Sequence, residues 1–64
     1  MKPTLDEIRA WPATVGVRQA AAAFGISASH AYALIRAGQF PARTLPLGDR
    51  VRVVTSSIVE ALGG

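Results

Sequence analysis

Cysteine is absent from the 64-residue chain, which excludes disulfide staples, thiolate metal sites and cysteine nucleophiles and reads as a reducing, cytoplasmic setting. Histidine occurs once and carboxylates four times, at Asp6, Glu7, Asp49 and Glu60. These residues supply no acid–base pair, no activated nucleophile and no metal constellation. The sequence therefore reads as non-enzymatic, with no catalytic residue, no metal and no cofactor. Long apolar runs are missing too: Ala20 to Phe24 and Ala31 to Ile35 fall far short of the roughly 18 residues of a membrane span. Met1 to Thr4 leads into Asp6 and Glu7, which is not the pattern of a signal peptide. No membrane partner is expected.

Acidic residues are scarcest where basic ones concentrate. Between Ala13 and Val54 a single acid, Asp49, stands against five arginines, Arg18, Arg36, Arg43, Arg50 and Arg52. The net charge is +3 and the pI about 10.7. A basic middle points to a polyanionic partner, and arginine is the side chain suited to phosphate and guanine contacts. A chain this short forms one domain, burying roughly 60% of its unfolded surface, so its core has to be shared among short elements.

Thr4 and Glu7 have capping-box spacing, Leu5 and Ile8 form an apolar edge, and Pro12 stops the helix. Residues 1–12 read as a lead-in helix, with Trp11 a hydrophobic anchor rather than a ligand platform; residues 13–64 read as the main body, and the functional part, of one compact domain. A second helix over Val17 to Phe24 puts Val17, Ala20, Ala21 and Phe24 on one face. Its alanines permit close approach of another helix, while Arg18 and Gln19 point away from its first turn. Gly25-Ile26-Ser27 supplies a left-handed cap, an apolar plug and an N-cap, the joint of a helix-turn-helix. The third helix, Ala28 to about Ala37, faces inward with Ala31, Leu34 and Ile35. Its opposite face centres on Ser29, Ala33 and Arg36, flanked by His30 and Tyr32. His30 is either a base or phosphate contact or a solvated helix residue.

Arg43 to Leu47, Gly48-Asp49 and Arg50 to Val54 carry a β-hairpin signal. Turn chemistry favours a two-residue Gly-Asp loop. The apolar pattern instead favours a three-residue loop that pairs Leu47 with Val51 and Leu45 with Val53, leaving Arg50 at the tip. The second register is preferred here. Pro46 donates no hydrogen bond, so the hairpin is expected to stand as a free edge instead of joining a larger sheet. Thr55 is expected to cap a closing helix that returns Ile58 and Leu62 to the core and ends at Gly63-Gly64. The fold class is mainly α with a small hairpin. Arg50 and Arg52 carry a wing hypothesis, with Arg50 entering a minor groove. Arg18, Arg36 and Arg43 suit phosphates, and Tyr32 can donate its hydroxyl to one.

From Val15 to Leu62 the chain resembles the excisionase-type, MerR-like winged helix-turn-helix family. The resemblance rests on Ala-Ala-x-x-Phe-Gly-Ile-Ser (Ala20 to Ser27), on Ser29, Tyr32, Leu34 and Ile35, on Arg-x-Gly-x-Phe-Pro (Arg36 to Pro41), and on Leu-Gly-x-Arg-x-Arg-Val (Leu47 to Val53). It implies a recognition helix presenting Ser27, Ser29, His30, Tyr32 and Arg36 to the major groove, with Arg18 and Gln19 in support. It also implies a wing reaching the minor groove through Arg50 and Arg52, assisted by Arg43. Ala28 and Ala33 stand where that family often has basic residues, so base-edge donors are few. Copies assembling cooperatively on double-stranded DNA, or shape and phosphate contacts, would then supply the specificity. The expected function is an architectural factor that bends DNA for a recombinase or integrase, nucleoid-associated and without a small-molecule ligand. Alternatives are a small transcriptional regulator, disfavoured because no long C-terminal helix or effector domain is present, a phage DNA-packaging module, and a protein-binding adaptor.

Overall fold

The computed structural model describes residues 2–63; Met1 and Gly64, the latter expected to help end the last helix, lie outside the described residues. The elements are α1 (Leu5–Arg9), β1 (Thr14–Gly16), α2 (Val17–Phe24), α3 (Ala28–Arg36), β2 (Thr44–Leu47), β3 (Arg50–Val54) and α4 (Thr55–Ala61). Thr4 and Glu7 form the capping box that starts α1. Ile8, 1% exposed, turns into the core. Half-buried Trp11 packs against that core and also lines a shallow groove with Val59 between α1 and α4.

The strands form one antiparallel sheet in the order β1-β3-β2. This corrects the expectation of a free hairpin: Pro46 does sit on an edge strand, but β3 is central because Thr14–Gly16 pairs with its other side. Val15 meets Val53 across that pair, and the two are 2% and 0% exposed. The hairpin register is corrected as well. Leu47 pairs with Arg50, Pro46 with Val51, Leu45 with Arg52 and Thr44 with Val53. Gly48 has φ +65° and Asp49 no positive φ, the pattern of a two-residue turn with glycine at its first central position. Turn geometry wins over apolar pairing because the hairpin projects beyond the core: Leu45 and Leu47 have nothing to bury against and remain exposed.

The largest fully buried side chains, Ile8, Val15, Val53 and Ile58, come from four different elements. The helix pair contributes mainly small ones, Ala20, Ala21, Ala23 and Ala31, which lets α2 and α3 pack closely. Phe24 and Phe40 close the far end edge-to-face, with ring centroids 5.6 Å apart. In α4 only part of the expectation stands. Ile58 is buried, whereas Leu62, the C-cap residue one turn further on, is 37% exposed at the end of the helix. Thr55 is not the cap: it is the first helical residue, buried, and its hydroxyl donates to the Pro12 carbonyl. Ser57 ties the junction instead, its Oγ donating to the Val54 carbonyl at 2.6 Å and accepting from the Arg43 N–H at 2.8 Å.

Candidate nucleic-acid interface

The joint between α2 and α3 is built by three consecutive residues. Gly25 adopts φ +71°, which lets the Ile26 N–H reach back to the Ala21 carbonyl at 3.1 Å and terminate α2. Ile26 is half-buried against the core. Ser27 then caps α3, its Oγ accepting from the His30 N–H at 3.1 Å. With Ala31 buried and Leu34 and Ile35 half-buried, Ser29, His30, Tyr32, Ala33 and Arg36 form the exposed side of α3. These are the residues on which the helical wheel centred the outward face.

The N-terminus of α2 is fixed by the sheet. Gly16 is both the last residue of β1 and the N-cap of α2, which places the first turn of the helix directly against β3 through the Gly16–Arg52 pair. Gly16 has no side chain to cap with, and the first turn contains no acid. Its N–H groups therefore present positive partial charge with no side-chain acceptor. Arg18 and Gln19 stand exposed on that turn.

A cleft of about 310 Å³ joins the α2 terminus to the other two elements. Gly16 and Val17 form one wall, Tyr32 of α3 another, and Asp49 to Arg52 of the hairpin the third. Tyr32 is 49% exposed there. The structure thus brings together Tyr32, Arg50 and Arg52. Ser29, His30 and Arg36 lie along the outer side of α3, and Arg43 sits at the opposite end of the hairpin from its tip.

The arginines differ in freedom. Among the described residues the ion pair found is Arg9 with Asp6, at 3.4 Å, and Arg18, Arg36, Arg43 and Arg50 are exposed. Arg52 is held: half-buried, it donates to the Thr14 carbonyl at 3.0 Å and more weakly to Thr14 Oγ1 at 3.4 Å. Neither this tether nor the α2 terminus is legible in the sequence alone. A Thr-Val-Gly triplet is too short to declare itself a strand, and its partner lies 38 residues away.

This order of joint, outward helix face and hairpin agrees with a family model described as a helix-turn-helix domain, which matches residues 14–63. The chain belongs to the helix-turn-helix domain family. It is a DNA-binding family that includes excisionase-like proteins. The match begins at β1, so α1 precedes it. No curated protein and no solved structure gives a significant match. Among the described residues no helix is long and apolar enough to cross a membrane.

Proposed function

We propose that this helix-turn-helix domain is a sequence-directed architectural factor of the excisionase kind, which binds duplex DNA in several cooperative copies and bends it for a site-specific recombinase. The observation that carries the proposal is the cleft where the uncapped α2 terminus, Tyr32 and Arg50 converge beside the exposed face of α3. A helix terminus with free N–H groups and a nearby arginine suits a phosphate. Fixing one phosphate there, with Arg18, Gln19 and the Tyr32 hydroxyl as further donors, registers α3 in the major groove. Ser29, His30 and Arg36 then face base edges. Ser27 accepts the capping bond and keeps its hydroxyl proton for a phosphate.

In this reading the hairpin acts as a wing. Arg50, exposed at the tip, enters the neighbouring minor groove, and Arg43 takes a backbone phosphate at the other end. Arg52 acts chiefly by holding β3 to β1 and adds positive potential to the cleft. Cooperativity is supported by the scarcity of donors on α3: one bidentate side chain, Arg36, and short hydroxyls give a single copy little discrimination.

The test is a titration against random duplex fragments at two salt concentrations, followed by selection and sequencing of the retained DNA. Tandem or closely spaced repeats are expected. Binding insensitive to salt would refute the DNA reading and turn attention to a protein partner.

A further inference from the structure

The corrected register leaves two leucines with no role in the fold. Successive residues of a strand point to opposite faces, and cross-strand partners share a face. Leu45 therefore stands with Arg52 and Leu47 with Arg50 on the outer face of the sheet, away from the row formed by Thr44, Val53 and Val15. Leu45 is 38% and Leu47 57% exposed, and they flank Pro46 on the edge strand. A solvated edge is normally blunted with charge as well as proline. Here the charges on the same face belong to two arginines, and neither β2 nor β3 contains an acid. A surface that alternates leucine with arginine fits a partner that alternates apolar walls with negative charge. A DNA minor groove has this character, with deoxyribose faces lining its sides and phosphates along its rims. Arg50 and Arg52 of this face also line the cleft shared with Tyr32 and the α2 terminus, so a duplex seated there passes close to the two leucines.

We infer that Leu45 and Leu47 form an apolar wedge that lies against the deoxyribose walls of the minor groove beside Arg50, and that this contact holds the groove open and bends the duplex. Apolar side chains that wedge between base steps from the minor groove partly unstack them and kink the DNA toward the major groove. The arginines supply attraction and the leucines supply shape. The inference rests on the DNA-binding reading and adds the source of the bend.

The experiment compares wild type with Leu45→Ser/Leu47→Ser on a short A·T-rich duplex labelled at both ends, reading affinity, salt slope and end-to-end energy transfer. Both leucines are exposed, so the variant is expected to melt as wild type does. Leu47→Ser alone replaces it if the double variant does not fold. The expected result is about tenfold weaker binding, from loss of roughly one leucine's worth of buried apolar surface. The salt slope should stay unchanged, because no phosphate contact is lost, and the bend should shrink. An unchanged bend and affinity would overturn the inference. So would a defect confined to multi-copy complexes, which would give the leucines to a neighbouring protein. Salt-insensitive binding by wild type itself would instead bring down the DNA-binding reading on which the wedge depends.

Discussion

The guanidinium of Arg52 reaches across the sheet to Thr14, donating to its carbonyl at 3.0 Å and to its Oγ1 at 3.4 Å. This tether fixes the strand that leads into α2 and so fixes the terminus facing the cleft. Arg52→Ala is expected to lower stability by about 1–2 kcal/mol, through two lost hydrogen bonds and lost packing of the aliphatic stem. Arg50→Ala, at the exposed tip, should stay within about 0.5 kcal/mol of wild type. Urea denaturation of both variants checks the contrast. Equal losses would mean that the tether carries no stability of its own.

The hairpin register makes a second prediction about stability. With Val53 fully buried and Leu47 more than half exposed, Val53→Ala should cost about 2 kcal/mol, while Leu47→Ser should cost less than about 0.5 kcal/mol. In the three-residue-loop register Leu47 would pair with Val51 on a shared apolar face, and its replacement would be costly. Thermal melts of the two variants decide between the registers.

The α2–α3 joint is readable because glycine, plug and capping serine act locally: each determines the backbone within one turn of itself. The outward face of α3 follows from helical periodicity alone. The register of β2 against β3 does not, because apolar alternation and turn geometry disagree at Leu47, and only the distance of the hairpin tip from the core resolves the conflict. The strand at Thr14–Gly16 escapes a local reading altogether, since its three residues gain their conformation from partners near residue 53. The candidate site divides along the same line. Its helix residues were legible, whereas the cleft needed a non-local pairing to bring α2 beside the hairpin.

Gly25 carries the joint, and its φ of +71° is costly for any residue with a Cβ. A methyl group there would also come within 2.8 Å of the Lys2 side chain, although that flexible chain can move aside. Gly25→Ala is therefore expected to lose about 1 kcal/mol from backbone strain. DNA affinity should fall further than stability alone explains, because the angle between α2 and α3 would shift. A melt combined with a binding titration below the melting range separates the two effects. An intact affinity would show that the joint tolerates a different angle.

Asp49 is the acid closest to the proposed DNA path, in the turn next to Arg50 and on the wall of the cleft. In the proposed complex a carboxylate there would repel the phosphates beside Arg50, so Asp49→Asn should tighten binding several-fold at low salt, with the gain fading as salt screens the interaction. If the proposed complex contacts about four to six phosphates, wild type should show a slope of log affinity against log salt of about −3.5 to −5.5. Replacing Arg18 or Arg43 should reduce the magnitude of that slope by about one contact while weakening all sequences alike. Arg36→Ala should cost about 1–3 kcal/mol on a selected site and less on random DNA, because a base-edge contact discriminates and a phosphate contact does not. Salt-dependent fluorescence titrations of these variants on selected and random duplexes check the assignment. If Asp49→Asn leaves affinity unchanged at every salt concentration, the hairpin tip does not approach the DNA backbone, and Arg50 has no part in the interface.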